Sequence, residues 1–117
     1  MGNSIKDRIR FLLKHIDTVL SDTKGKTLEQ FAESDLLVRA TCFSIIQVGE
    51  QMTKLEKHLA DKYPDLPWDE ARDMRILIVH IYNKVDAAQI YKTAMNDLPE
   101  LKEKIMAIRD EMFGPIN

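Results

Sequence analysis

Residues 4–20 read SIKDRIRFLLKHIDTVL. The apolar side chains of this stretch recur every three or four positions, at Ile5, Ile9, Leu12, Ile16 and Val19. That spacing places them along one face of an α-helix, while the charged residues fall mostly on the other faces. Ser4 and Asp7 resemble a capping pair, in which a hydroxyl and an acid satisfy free backbone amides. The stretch therefore predicts an amphipathic helix over about 4–20.

Helical signals continue in the next third of the chain. Thr27 and Gln30 have the spacing of a capping box, and they predict a short helical turn over 27–32. A long helix is predicted over about 34–62. Pro64 and Pro67 follow it, where the absence of an amide donor ends a helix. The predicted buried stripe of the long helix consists of Leu36, Ala40, Phe43, Ile46, Met52, Leu55 and Leu59.

The rest of the chain also has a helical pattern. A fourth helix is predicted from about residue 67 to His80 or slightly beyond, and Trp68 should anchor its start in the core. Asp86 has the position of an N-cap for a fifth helix. The sequence Asn-Asp-Leu-Pro at 96–99 interrupts or bends that helix, and a last helix should run to about residue 112.

These elements predict an all-α fold. The chain of 117 residues has the length of one domain, 1–117, and it contains only 4 glycines and 4 prolines. All-β folds need many turn residues, so this scarcity favours long helices. The predicted architecture is an antiparallel bundle of four main helices with an extra short helix, joined by short loops.

Composition narrows the class of protein. The net charge of −2 argues against general binding of duplex DNA, so any RNA would have to bind at a local site. The single cysteine, Cys42, excludes an internal disulfide and is expected to be buried packing. The sequence shows no transmembrane run, no signal-peptide core, no clustered metal ligands and no cofactor motif. A soluble cytoplasmic protein is expected.

Residues 75–82, RILIVHIY, carry three side chains suited to phosphate chemistry in an otherwise apolar run. Arg75 could hold a phosphate through two donors. His80 titrates near neutral pH and could move a proton. Tyr82 offers a hydroxyl that could accept a covalent group. Each also has an ordinary structural interpretation, since a histidine in a helix is more often a hydrogen-bonded structural group than a catalyst. His15 and His58 are isolated in the sequence and are expected to face solvent.

The spacing of Arg75 and His80 constrains how they could share a site. At about 100° per residue, side chains five positions apart point about 140° away from each other. A joint site would therefore need an unwound helix end near His80 or a second copy of the protein. A two-fold dimer could line one cleft with two arginines and two histidines, and we favour that arrangement.

The chain resembles the HepT-like branch of the HEPN superfamily over nearly its full length. Besides the motif Arg75-x4-His80-x-Tyr82, the matching segments come in a specific order and spacing. They are Arg39, the stretch 45–50 (IIQVGE), the stretch 66–68 (LPW), Val85 with Asp86, and the stretch 97–101 (DLPEL). Each segment is short and is weak evidence by itself, so the resemblance depends on the order and spacing of all of them.

The resemblance implies a helical homodimer encoded beside a small nucleotidyltransferase. In such pairs the HEPN protein is a toxin and a metal-independent RNA endonuclease, and the minimal nucleotidyltransferase is its antitoxin. Carried over to this sequence, Arg75 and His80 would be the ribonuclease pair. Tyr82 would accept AMP from ATP, and the bulky anion would block the RNA site.

One position departs from the family pattern. The residue after the arginine is often polar, commonly asparagine, and here it is Ile76. An amide four positions before His80 could orient the imidazole, whereas isoleucine cannot. A second hypothesis therefore stays open, in which the protein is a catalytically inactive helical subunit that binds its nucleotidyltransferase partner or a nucleotide.

Overall fold

A computed structural model describes residues 4–74 and 86–114. Within these residues the chain is all-helical and contains no strand, which confirms the predicted fold class. None of the described helices is both long and apolar enough to cross a membrane. The elements are α1 (Ile5–Thr23), α2 (Leu28–Glu33), α3 (Asp35–Leu59), α4 (Trp68–Asp73), α5 (Ala87–Lys92), a π-helical turn (Thr93–Asp97) and α6 (Leu98–Phe113).

The predicted caps begin the helices. The Ser4 hydroxyl accepts the Asp7 amide at 3.1 Å, and α1 starts one residue after Ser4. Thr27 and Gln30 form both bonds of a capping box at the start of α2. These side chains satisfy amides that have no partner inside the helix, which fixes where each helix starts.

The core lies where α1 packs against α3 and α6. The predicted apolar face of α1 is confirmed, because Ile9, Leu12, Ile16 and Val19 are fully buried. Contacts between side chains show that α1 runs antiparallel to α6. Lys6 lies over the ring of Phe113, whereas Asp17 near the other end of α1 pairs with Lys102 at 2.7 Å.

The buried stripe of α3 was only half predicted. Met52, Leu55 and Leu59 are buried as expected. Leu36, Ala40 and Phe43 are exposed instead, with 74% of Leu36 and 59% of Phe43 accessible to solvent. The first half of α3 carries two apolar stripes, and the stripe formed by Val38, Cys42 and Ile45 packs into the core. The predicted stripe therefore lies on the outer surface over this half of the helix.

The predicted interruption after α5 takes the form of a π-helical turn. The chain stays helical from Ala87 to Phe113, and the amide of Leu98 bonds the carbonyl of Thr93, one residue further back than in an α-helix. Pro99 follows this turn and has no amide to donate, and its ring would press on the carbonyl four residues earlier in a regular helix. The wider turn contains that carbonyl, at Met95.

Candidate functional site

The motif residues Arg75, His80 and Tyr82 lie outside the described residues, as does Ile76. The structure describes the chain up to Met74 and again from Asp86, so it shows how the two flanks of the motif are held. It does not test whether the three motif side chains come together. Their assignment stays a prediction.

The flank before the motif, α4, is anchored by Trp68. This side chain is buried, as predicted, and its indole N–H donates to the Tyr63 carbonyl at 3.0 Å. The last turn of α4 is held from outside, because the Arg72 guanidinium bonds Glu56 on α3 and Asp69 on its own helix. The hydrogen bond to Glu56 raises the pKa of Arg72, so the group stays charged. α4 is thus fixed to the second half of α3.

The flank after the motif begins at a cap. The Asp86 carboxylate accepts the Gln89 amide at 3.2 Å and starts α5, as the sequence predicts. One turn later the Tyr91 hydroxyl donates to the Lys26 carbonyl, and its ring lies 5.5 Å from that of the buried Phe31. α5 is therefore tied to α2 and to the turn before it.

A groove of about 360 Å³ separates the two flanks. One wall includes Met74 at the end of α4, and the other includes Thr93 in the π-helical turn. Among the described residues that line it, acidic groups predominate, since there are four carboxylates and one lysine, Lys104, which pairs with Glu100 at 3.3 Å. Those carboxylates belong to Glu70, Asp73, Asp97 and Glu100.

A different groove, between α1 and α3, has the opposite charge. It encloses about 560 Å³ and is lined by four cations and one carboxylate. The cations are Arg8, Arg10, Lys14 and Lys54, and the carboxylate is Asp7. Arg10 lies 3.8 Å from Asp7, whereas the other three cations form no ion pair with any described residue.

Three rings continue from this basic groove across the outer surface. Phe11 lines the groove, and its ring makes an edge contact with His15 at 4.6 Å between centroids. The ring of Phe43 on α3 also meets His15 edge-on, at 6.5 Å between centroids. His15, which was predicted to face solvent, is only partly exposed and contacts both aromatic rings. Partial burial, followed by repulsion from Lys14, lowers the pKa of His15.

This ring cluster was missed from the sequence. Phe43 had been assigned to the buried stripe of the long helix, and Phe11 had been given no role. The sequence feature that could have revealed the cluster is the position of Phe11 outside the apolar stripe of α1. A large aromatic residue there must either be exposed or contact another element.

The remaining candidate groups are ordinary. Cys42 is buried, as predicted, and burial raises the pKa of its thiol to about 11, so it is a poor nucleophile. Among the described residues, no set of three His, Cys, Asp or Glu side chains is grouped as a metal site would require. Arg39 forms an exposed ion pair with Asp35 at 3.1 Å, consistent with ordinary surface charge.

Comparison with known proteins identifies the class that this helical chain represents. The family model described as "Ribonuclease HepT-like" matches residues 9–108. The chain therefore belongs to the HepT-like family of the HEPN superfamily, as the sequence resemblance indicates. No solved structure matches the chain significantly.

Relatives of the chain carry consistent names. It is 30% identical over 112 residues to a "gamma-glutamylcyclotransferase and putative RNase" of Methanocaldococcus jannaschii, covering 96% of this chain and 50% of that protein. It is 28% identical over 110 residues to a "putative RNase" of the same organism, covering 94% and 91%. It is also 28% identical to a "probable ribonuclease HepT" of Thermococcus cleftensis, covering 93% and 99%. The chain thus spans half the length of the first relative and nearly all of the other two.

Proposed function

We propose that this protein is a toxin-type RNA endonuclease that cleaves RNA without a metal ion. The observation that supports this most is the family match over residues 9–108 in a chain that also carries the motif Arg75-x4-His80-x-Tyr82. The relatives named as RNases cover the same stretch of chain. Arg75 and His80 are the proposed catalytic residues, and the protein is proposed to act in the cytoplasm.

The proposed reaction is transesterification within the RNA. The ribose 2′-oxygen attacks the adjacent phosphorus, forming a P–O2′ bond while the P–O5′ bond breaks. The products are a 2′,3′-cyclic phosphate and a free 5′-hydroxyl. His80 moves the proton at the attacking or the leaving oxygen. Arg75 stabilises the charge that develops on the phosphorane oxygens.

The catalytic unit is proposed to be a two-fold homodimer. If residues 75–80 form one regular helix, Arg75 and His80 point to different sides of it, so they could share a site only through an unwound helix end near His80 or through a second protomer, which we favour. A two-fold axis would place both copies of each residue around one cleft.

The proposed partner is a minimal nucleotidyltransferase that acts as antitoxin. It would transfer AMP from ATP to the Tyr82 oxygen, forming a phosphodiester and releasing pyrophosphate. The added nucleotide is bulky and anionic, so it would exclude RNA by size and by repulsion. Intact-mass measurement after co-expression tests this step. One or more added AMP groups should appear on the wild type and be absent from Tyr82→Phe.

A second candidate function follows from Ile76. Without a polar group at that position, the imidazole of His80 has one possible orienting partner fewer. In this alternative the protein is a catalytically inactive subunit that binds the nucleotidyltransferase. Neither the wild type nor any motif variant would then cut RNA, but the complex with the partner would still form.

A cleavage assay separates the two functions. Purified protein is incubated with RNA in the presence of a chelator, and products are tested for cyclic phosphate ends. The wild type should cut, whereas His80→Ala should not. His58→Ala is a matched control, because His58 is an exposed histidine at the end of α3 and should leave cleavage unchanged. Cleavage that persists in His80→Ala would remove the proposed mechanism.

A further inference from the structure

The groove between α1 and α3 has an excess of positive charge among its lining residues. Four cations and one carboxylate line it, although the whole chain has a net charge of −2. Arg10 and Lys14 also line a second groove, between α1 and α6, in which four cations face the carboxylates of Asp17 and Asp22. These shared cations form a basic ridge on α1 between the two grooves, and the α1–α3 groove has the larger excess of positive charge.

Two phenylalanine rings next to this ridge remain largely exposed to solvent. Phe11 is 44% accessible and Phe43 is 59% accessible, although both belong to residue types that are usually buried. Both rings meet His15 edge-on, at 4.6 Å and 6.5 Å between centroids, so the three rings form one cluster whose two phenylalanines remain accessible to solvent.

We propose that this α1–α3 surface, formed by Arg8, Lys14, Lys54, Phe11 and Phe43, binds single-stranded RNA. Lysine and arginine side chains hold the phosphates, and bases stack on the phenylalanine rings. A basic groove beside aromatic platforms is how proteins bind single strands without reading their sequence. The inference rests on the proposed ribonuclease function and gives that enzyme a place to hold the substrate strand.

Charge favours RNA over a protein partner on this surface. The centres of protein interfaces are depleted of lysine, because burying an unpaired ammonium is costly. Here Lys14 and Lys54 line the same groove as Phe11 and pair with no carboxylate among the described residues. A polyanion supplies the missing negative charge along the whole groove, and it releases counterions as it binds.

The test measures binding of the wild-type protein to a short unstructured RNA whose 2′-hydroxyls are methylated, so that it cannot be cleaved by 2′-attack. Lys14→Gln/Lys54→Gln should weaken binding about tenfold. It should also reduce the slope of log affinity against log salt by about 1.4, the value expected for two single-strand phosphate contacts. Lys24→Gln/Lys92→Gln changes the same charge at two exposed lysines away from the groove and should leave both quantities unchanged.

The rings are tested separately. Phe43→Ala should weaken binding about tenfold, with little change in the salt dependence, because base stacking is not ionic. Phe113→Ala is the matched control, since this phenylalanine is exposed at the end of α6 and is not among the residues that line the α1–α3 groove. Circular dichroism confirms that each variant is folded.

The outcomes distinguish this inference from the function on which it rests. If the wild type cuts RNA but the lysine and phenylalanine variants bind as well as it does, the α1–α3 surface is not the binding site. If those variants instead change the mass measured by light scattering, the surface is a contact between copies of the chain and the inference is wrong. If the wild type neither cuts nor binds RNA, the proposed function fails as well.

Discussion

Trp68 donates its indole N–H to the carbonyl of Tyr63, and this bond connects the turn after α3 to the first residue of α4. The indole is buried against the core, so one side chain both packs α4 and sets its starting point. The motif arginine follows α4 in the sequence by two residues. Trp68 therefore holds the start of α4, the helix that precedes the motif, in place.

Trp68→Phe should lower the free energy of unfolding by about 1–2 kcal/mol, because it removes a hydrogen bond and some packed volume. Trp68→Ala should cost about 3–5 kcal/mol, since it also leaves a cavity. Urea denaturation followed by circular dichroism measures both. The exposed Phe43→Leu change serves as control and should stay close to wild type. Equal stability of Trp68→Phe and wild type would show that the indole bond contributes nothing.

Asp86→Ala should destabilise the protein by about 1 kcal/mol, because the Gln89 amide loses its capping acceptor at the start of α5. Asp86→Asn should retain most of the stability, since asparagine is also a good cap. Asp65→Ala removes an exposed carboxylate from the turn before α4 and should have little effect. Thermal and urea unfolding give the comparison. A loss in Asp86→Asn as large as in Asp86→Ala would mean that charge, and not capping, is what matters.

Stability should fall as the pH is lowered through the range below about 6.5, in part because of His15. Its pKa in the folded protein lies below the ordinary value of 6.5, so the unfolded chain takes up the proton first. The contribution is fully present above the unfolded pKa and decreases on acidification. Unfolding free energies measured at several pH values should therefore decline less steeply in His15→Gln than in wild type. Parallel pH profiles would contradict the shift.

Ile76→Asn should increase the rate of metal-free RNA cleavage, because an amide four positions before His80 can orient the imidazole. Ile76→Ala is the matched control, since it removes the isoleucine without adding an amide. Initial cleavage rates at saturating RNA measure the effect. An equal increase of the cleavage rate in both variants would show that removing the isoleucine side chain, and not adding an amide, causes the effect. Inactivity of both, with the partner still bound, would favour the inactive-subunit function.

Much of the fold follows from local patterns in the sequence. The caps at Ser4, Thr27 and Asp86 are short-range hydrogen bonds, and the structure contains each of them. The apolar face of α1 was also predictable, because that helix has a single apolar stripe. In these cases residues close together in the sequence determine the structure, and packing against distant residues does not change the outcome.

The first half of α3 shows where prediction from local patterns fails. Both of its stripes have helical spacing, so periodicity cannot choose between Phe43 and Cys42 as the buried residue. The choice depends on how closely α1 approaches, which is a property of the packed structure. The grouping of Lys14 with Lys54 has the same origin, since the two lysines are forty residues apart in the sequence. The motif itself remains a sequence prediction supported by family membership.

The π-helical turn at Thr93–Asp97 determines which way the last helix faces. Ile90 and Leu98 are eight residues apart, and over that distance a regular α-helix would rotate Leu98 about 80° past the direction of Ile90. Both side chains are nevertheless buried in the same core. The wider turn takes up that excess rotation, so it acts as a phase correction between the two halves of the helix. Closing it into a regular α-helical turn of the same length would rotate Leu101 and Ile105 about 80° away from their present direction and displace the C-terminal helix, although no core side chain had been changed.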